Sequence, residues 1–530
     1  MMAKLTLRLA AAAALAMSAG AAPAAAKTLV YCSEASPESF NPMFASADST
    51  MDAVARTIYD RLVRFKPGTT EVEPSLAERW EVSDDGRTYT FHLRPGVAFE
   101  PNAAFTPTRP LTADDVVYSF DRQWRADNPF HALGGSGYQY FEALGLGPML
   151  QSIDRVDDLT VRFTLKAPNA TFLATVALDF ASIQSLEMAQ AMVAKGTPEV
   201  LDQTPVGTGP FVLQAYDPDS RIRFKANPHY WDGKPPIDNL VFDITPDATV
   251  RVSKLQAGEC QITTQPLATA VPQLKQDPNI EVLQRPGDNL GYLGFNIAKT
   301  PLGDVRVRRA LAMAINRPAI VDAVYQGAGT LVNSALSPVE WGAAKDLKGY
   351  PYDPKAAKAL LAEAGYPNGF SLSLWAMPVS RPYNPDARRM AEMIQADWAA
   401  IGVKAEIVSM EWGAYLTRTQ AGEHDALLLG GTSDNGDPDN TLTFVLACSD
   451  QNRMKWCDKP FDDLLNQARA STDQAKRTEL YVKAQHIVEE QVPLVPIASS
   501  IVSMPIRKGV LNYVLDPFGR QSFAKLDLAE

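Results

Sequence analysis

Between Ser371 and Asn440 the hydrophobic and polar positions follow one another in two distinct periods. Residues 371–377 alternate with period two, which predicts a strand, and they end in a proline loop carrying Arg381. Ala387, Met390, Ala391, Ile394 and Trp398 recur at three- and four-residue spacing. That spacing predicts an amphipathic helix, with Asn384 as its cap and Pro385 at its first position. Gly402 stops it. Val403, Ala405 and Ile407 alternate again, a second strand that leads to Glu411-Trp412. A short helix is expected over about 413–421, and the run Ala426-Leu427-Leu428-Leu429 reads as a buried third strand. Strand, helix, strand, helix, strand in this order predicts a parallel sheet and an α/β fold, because parallel neighbours need crossover connections.

The rest of the chain is patterned less regularly. A strand is expected over residues 28–32 and a helix over 51–65, ended by Pro67-Gly68. Asp85-Gly86 signals a hairpin turn. After it Tyr89, Phe91 and Leu93 alternate with Thr88, Thr90 and His92, which puts His92 on the polar face. Thr112, with Asp115 three residues on, opens a helix. Further strands are expected over 161–165 and 211–213, and Gly207-Thr208-Gly209-Pro210 is a tight turn between elements. A helical repeat over 304–316 places Val305, Ala310, Ala312 and Ala314 among arginines, and the pattern changes around Pro286-Gly287.

A chain of 530 residues is too long for one core, so two or three domains are expected. Its N-terminus has its own composition: Lys4 and Arg8, an Ala/Leu-rich stretch, then Ala24-Ala25-Ala26 before Lys27. This is the arrangement of a cleaved secretory signal over residues 1–26. No later run approaches the roughly 18 apolar residues of a membrane span. The full chain has 50 Lys+Arg against 61 Asp+Glu; without Lys4 and Arg8 the balance is 48 against 61, a net charge of -13. Such a charge argues against nucleic acid and anionic membrane as partners. Four cysteines, Cys32, Cys260, Cys448 and Cys457, in an exported chain point to two disulfides. Three pairings are open, one of which closes the short loop Cys448 to Cys457 and leaves Cys32 with Cys260.

Candidate chemistry sits at the strand ends. In an open parallel sheet, ligands bind beyond the carboxyl ends of the strands. Arg381, Trp412 and Asp434 each lie just past such an end. By composition alone Gly430–Asn440 is an ordinary solvated acidic turn, and it is the topology that singles out Asp434. A zwitterion entering a dry crevice loses water from both charges, so each needs a fixed partner. Arginine suits a carboxylate and aspartate an ammonium, and the pair would measure a ligand of about 7 Å, the length of an extended dipeptide. Trp412 would cover an apolar part of it. No catalytic or metal constellation emerges: the five histidines are scattered, Gly134-Gly135-Ser136-Gly137 lacks the glycine of a nucleophile elbow at Tyr138, and Asp434–Asn440 fails the calcium-loop pattern. No cofactor and no metal are expected.

Several segments together resemble the periplasmic solute-binding proteins of ABC-type peptide importers, the dipeptide/oligopeptide class. They are Leu29-Val30-Tyr31-Cys32-Ser33-Glu34, residues 76–99, 111–122 and 306–317, Gly207 to Phe211, Trp375 to Pro385, and Asp434 to Asn440. Arg381-Pro382-Tyr383-Asn384-Pro385 and Asp434-Asn435-Gly436-Asp437-Pro438-Asp439-Asn440 are most similar to the dipeptide binders. The resemblance implies a two-lobed type II periplasmic-binding-protein fold with three subdomains and two crossover hinge segments. Its first lobe would comprise 27–286 and 502–530, with an inserted subdomain over about 60–206; its second lobe would be 287–501. It implies a non-enzymatic, periplasmic, monomeric receptor that hands dipeptides or short peptides to an inner-membrane ABC permease and is in some cases read by a chemoreceptor.

Asp434 would hold the α-amino group and Arg381 the α-carboxylate. Tyr383, Trp412 and Thr432 would line the pocket, Ser46 would touch the ligand backbone, and Asp437 and Asp439 would shape and solvate their loop. Disulfides Cys32–Cys260 and Cys448–Cys457 fit the same pattern. The sequence departs from the pattern at Ala45, at Asp48, in a shorter Cys448–Cys457 loop, and at Gly431, which stands in place of an aromatic and so implies a wider pocket. The alternative on the same fold is a binder of haem, glutathione or longer oligopeptides; the rival of another class is an exported peptide hydrolase.

Overall fold

The structure, a computed structural model, describes residues 26–45, 47–133, 137–264 and 266–529. The leader expected over 1–26 falls, but for Ala26, outside the described residues, and so does Ser46.

One strand organises the molecule. Leu494–Arg507 runs through a 12-stranded sheet and belongs to both of its halves. Its beginning pairs antiparallel with Asn289–Phe295, and its end with Ile280–Pro286. Leu494 to Ser500 is buried throughout, the continuous apolar signature of a central strand. Pro496 is tolerated there because the register shifts at Tyr292, so that one residue of the long strand is left over, a bulge that bends the sheet. Next to it the chain crosses a second time, through Gly287 and Asp288. The two crossings are tied together: Ser499 Oγ donates to Gly287 O at 2.8 Å, and Asn289 Nδ2 donates to Ser500 Oγ at 3.0 Å.

In the first half of the sheet Thr28–Ser33 lies parallel between Ile262–Thr263 and Asn239–Ile244, followed by Arg221–Ala226 and Phe211–Asp217. In the second half the order is Lys404–Val408, Ser371–Ala376, Ala426–Thr432, Asn289–Phe295. The first three of these are parallel, as the crossover argument requires. A separate antiparallel sheet, Ala77–Val82, Thr88–Leu93, Thr160–Leu165 and Leu150–Asp157, contains the expected hairpin, with Gly86 at φ +66°. Three large cores result: one drawn from Leu290 to Ala498, one from Met43 to Val206, and one from Leu29 to Ile262 together with Met504 to Leu526. Cys32 and Cys260 are bridged with Cα atoms 5.8 Å apart, Cys448 and Cys457 with Cα atoms 4.6 Å apart. Among the described residues no helix is long and apolar enough to cross a membrane.

The helix expected over 51–65 is much shorter. Helical backbone covers Asp48–Thr50 and Met51–Ala55, and Val63–Phe65 is a strand. The reason is tertiary. The carbonyls of Thr57 and Ile58 accept from Phe211 and Gly209, so they are not available to continue a helix. Gly207 and Gly209 lie so close to the Ile58 backbone that neither could carry a Cβ.

At the crossing Asp288 is 0% exposed, and neither of its carboxylate oxygens has a hydrogen-bond donor among the described residues. Glu340, also buried, lies against it; its Oε1 accepts from Thr441 Oγ1 at 3.2 Å while Oε2 has no donor. Two buried carboxyls in contact, with three of their four oxygens lacking a donor, are reconciled by one shared proton. Burial is the first cause that raises each, and for Glu340 the neighbouring Asp288 is the next. The native pair therefore retains a proton that the unfolded chain releases above about pH 4. Stability contributed here is complete below that pH and is lost as pH rises toward the elevated native values. Glu340→Gln supplies a permanent donor. Its denaturation midpoint is expected to gain on wild type as pH is raised from 5 to 8; a constant difference would show that no proton is shared.

Candidate functional site

The parallel order brings two loops together. Ser371–Ala376 and Ala426–Thr432 are direct neighbours, with Ala376 paired to Leu428, so the segments bearing Arg381 and Asp434 leave adjacent strand ends. The third strand runs three residues further than its apolar run suggests, through Gly430 and Gly431 to Thr432, because Asn289–Phe295 pairs with it along its whole length.

The Arg381 loop is pinned by its backbone. Arg381 and Asn384 exchange N–H···O bonds of 3.1 and 3.0 Å, and Tyr325 Oη donates to Tyr383 O at 2.6 Å. A Cβ on Gly291 or Gly430 would collide with Tyr383, so the two glycines let the loop lie on the sheet. Asn384 is thereby held in the turn and does not cap the helix as expected. The cap is Asp386, whose Oδ1 accepts from Arg389 N at 2.9 Å, and the helix is Ala387–Ala399. The Arg381 guanidinium is exposed and lies 5.6 Å over the Trp412 ring. Trp412 in turn stacks on Tyr415 at 5.7 Å, and Tyr415 Oη donates to Leu428 O at 2.8 Å. Trp412 is thus a brace between Arg381 and the sheet.

Asp434 is held at both ends of its residue. Its N–H donates to Asn440 Oδ1 at 3.1 Å, and Asn440 Nδ2 donates to Asp434 Oδ2 at 3.3 Å. Burial raises its carboxyl above the ordinary range, the Asn440 bond opposes that, and the charge of Asp48 adds to it. The loop carrying Asp434 turns through Gly436 at φ +66°, and Asp437 caps the helix Pro438–Leu446 by accepting from Asp439 N at 3.0 Å. Asp437 and Asp439, expected to shape and solvate their loop, shape it but are buried: Asp437 pairs with Arg477 at 2.7 Å and Asp439 with Arg469 at 2.9 Å. Lone carboxylates would not be retained in the interior, and only the arginines from two distant helices make this loop stable.

A cavity of about 780 Å³ opens beside these loops. Arg381, Thr432 and Asp434 lie on its wall. Tyr383, Trp412 and Gly431 stand outside it: Tyr383 packs on Gly430, Trp412 lies under Arg381, and Gly431 faces open space. The opposite wall comes from the first half of the sheet, where the family resemblance points only to Ser46 and not to the ion pairs that build it. Arg56 spans Asp52 (2.5 Å) and Asp179 (2.6 Å), and Arg61 adds a bond to Asp179 at 2.8 Å. Burial lifts Asp52 to about 7 against the pull of Arg56, whereas Arg56 and Arg61 together outweigh burial at Asp179 and hold it below the ordinary range. The one local signal of this wall was the four-residue spacing of Asp52 and Arg56. Among the described residues no cluster of three His, Cys, Asp or Glu side chains could hold a metal ion.

Residues 71–453 match Bacterial extracellular solute-binding proteins, family 5 Middle. The dipeptide-binding protein of Escherichia coli (strain K12) is 55% identical over 512 residues, 96% of either chain. HbpA2 from Haemophilus parasuis superposes with a TM-score of 0.92 at 46% identity, over 95% of this chain and 100% of that one. The dipeptide binding protein from Pseudoalteromonas sp. SM9913, solved with Met-Leu, does so with a TM-score of 0.78 at 41% identity, over 95% and 100%. A mixed α/β sheet in two halves, crossed twice by the chain, with a cavity beside the crossings, is the two-lobed architecture of a type II periplasmic binding protein. Within that class the chain belongs to family 5 of the bacterial extracellular solute-binding proteins.

Proposed function

We propose that this protein is the periplasmic substrate-binding component of an ABC importer and captures dipeptides or short peptides between its lobes. The observation that carries this reading is the convergence of Arg381, which has no ion pair among the described residues, and a desolvated aspartate, Asp434, on one cavity wall beyond adjacent strand ends. Asp434 takes the α-ammonium and Arg381 the α-carboxylate, with Thr432 beside them and Ser46 on the ligand backbone. Tyr383 and Trp412 serve by holding Arg381 in place. The first lobe comprises 27–286 and 502–530, with an inserted subdomain over about 60–206, and the second 287–501. They close on the ligand about the crossings at Gly287 and Ser499, and the permease reads the closed form. The protein acts as a monomer after removal of residues 1–26, and a chemoreceptor is a further partner for the closed form.

Native mass spectrometry of the purified protein should show a bound species of peptide mass that is released on denaturation. Calorimetry should then show binding of free dipeptides and much weaker binding of their N-acetylated forms. A haem or other non-peptide mass, or indifference to acetylation, would overturn the reading. Turnover of the peptides into amino acids would replace it with a hydrolase.

A further inference from the structure

Asp288 is the residue at which the second crossing passes from one half of the molecule to the other. Its N–H donates to Pro517 O at 2.9 Å, and its C=O accepts from Ser433 N at 3.1 Å. Pro517 stands in the C-terminal tail, whose Leu515 and Phe523 belong to the core of the first half, whereas Ser433 directly precedes Asp434. One residue is thus bonded to both halves and to the segment that presents the proposed ammonium anchor. Glu340, against which its carboxyl lies, belongs to the second half alone. Leu336 and Ala343 on either side of it are in that half's core, and its Oε1 accepts from Ser337 N at 3.4 Å and from Thr441 Oγ1 at 3.2 Å.

The groups around the pair have other partners. From the tail, Asp516 and Arg520 face Asp288, but Arg520 pairs with Asp516 at 3.2 Å and donates to neither Asp288 oxygen. Ser337, the neighbouring hydroxyl, donates to Gly287 O at 2.9 Å. From the second half, Asp437 faces Glu340 and is itself paired with Arg477 at 2.7 Å. Among the described residues, then, both Asp288 oxygens and Glu340 Oε2 have no donor but the proton that the two carboxyls share. Turning one half against the other pulls Asp288 toward Pro517 on one side and Ser433 on the other, while Glu340 stays with its own half. Once parted or hydrated, each carboxyl returns toward its ordinary range and loses the proton.

From this pair of carboxyls and its place between the halves, we infer that the crossing is a proton-dependent hinge: the shared proton is held while the halves are closed and leaves as they part, so that capture of a ligand takes up a proton. A group that binds its proton more tightly in the closed form favours closing fully at low pH. That contribution is lost as pH rises toward the closed-form value, about 7 for Asp288. The sign is opposite to that at Asp434, whose ionised form takes the ammonium, so wild-type affinity is expected to pass through a maximum. The inference goes beyond the peptide-binding reading, since it requires closure on a ligand and not that the ligand be a peptide.

The test is calorimetry of Ala-Ala binding to the whole mature protein, in buffers of different ionisation enthalpy, which gives both the affinity and the number of protons taken up. Glu340→Gln and Asp288→Asn are near-isosteric, and each puts a permanent donor in place of the shared proton. Asp434 and the ligand's own ammonium are present throughout, so their titration cancels in the comparison. From about pH 5.5 to about pH 7.5 the affinity of wild type relative to either variant should fall about tenfold, and near the middle of that range wild type should take up as much as about one proton more. One pH dependence and one proton count shared by wild type and both variants overturn the inference and leave the peptide reading intact. Should Ala-Ala bind at no pH, the peptide reading falls, and small-angle scattering from the ligand-free protein decides the hinge. Expansion of wild type over the same pH range, with constant dimensions in Glu340→Gln, supports it; equal behaviour of the two overturns it.

Discussion

Asp434→Ala is expected to weaken dipeptide binding by about 2–5 kcal/mol, the cost of removing one partner of a desolvated, hydrogen-bonded charge pair. That is roughly a 30-fold or greater rise in Kd. An ammonium brought into the crevice gives up its water and must recover the loss from a fixed acceptor. Asp434 is such an acceptor, because Asn440 holds it from two directions and burial denies it full hydration. Its carboxyl is raised in the absence of ligand, and the ammonium binds only the ionised form. Affinity should therefore fall as pH is lowered through that raised value, and at a higher pH than an ordinary aspartate would produce. Arg381→Ala should act in the same direction by a smaller amount, since the guanidinium is exposed and keeps part of its hydration. N-acetylation of the peptide should cost affinity in wild type and almost nothing further in Asp434→Ala. Wild-type affinity in both variants, measured by calorimetry, would remove the two-ended clamp.

A second large effect lies behind the site. Arg477→Ala should destabilise the folded protein by about 3–5 kcal/mol, the usual result of stranding one member of a buried ion pair. Arg477 Nη2 lies 2.7 and 2.8 Å from the two Asp437 oxygens and 2.9 Å from Tyr481 Oη, and its guanidinium is 5.1 Å from the Trp341 ring. The paired side chains are 8% and 7% exposed. Without Arg477 the Asp437 carboxylate has to protonate or draw in water, and its capping of Pro438–Leu446 suffers. The double variant Asp437→Asn/Arg477→Met leaves no charge unpaired and should recover much of the loss. Denaturant midpoints of the single and double variants provide the check; a double variant as unstable as the sum of its parts would show that the pair is not the cause. Because Asp437 ends the turn that presents Asp434, the single variant should also weaken binding.

The two experiments probe different layers of one loop, and the layers were unequally legible. Asp434 and Arg381 could be placed from periodicity and connection length. Alternation marked the strands, three- and four-residue spacing marked the helix between them, and crossovers require parallel order, so the strand ends had to converge. Asp437 and Asp439 stand in a Gly/Pro-rich turn, where a pair of acids reads as solvated, yet both are buried and paired. Nothing local to them announces that Arg469 and Arg477 reach back from later helices. Asn384 failed as a cap for a related reason: a reciprocal turn with Arg381 holds it, and the next aspartate takes the role. Residues 57–65 left their expected helix because Gly209 and Phe211 claim the carbonyls of Ile58 and Thr57.

By itself, then, the amino-acid sequence determined the α/β character, the order of elements from Ser371 to Thr432, the four cysteines available for bridging, and one charged wall of the crevice. These depend on periods of two and 3.6 residues and on short connections, which are properties of neighbouring positions. Only the tertiary structure decided what faces that wall. Glu34, Asp48, Asp52, Arg56, Asp179 and Arg520 meet there from segments spread across almost the whole chain. Their approach is set by packing of the sheet halves about the strand Leu494–Arg507, and contacts at such separations leave no periodic trace in the sequence.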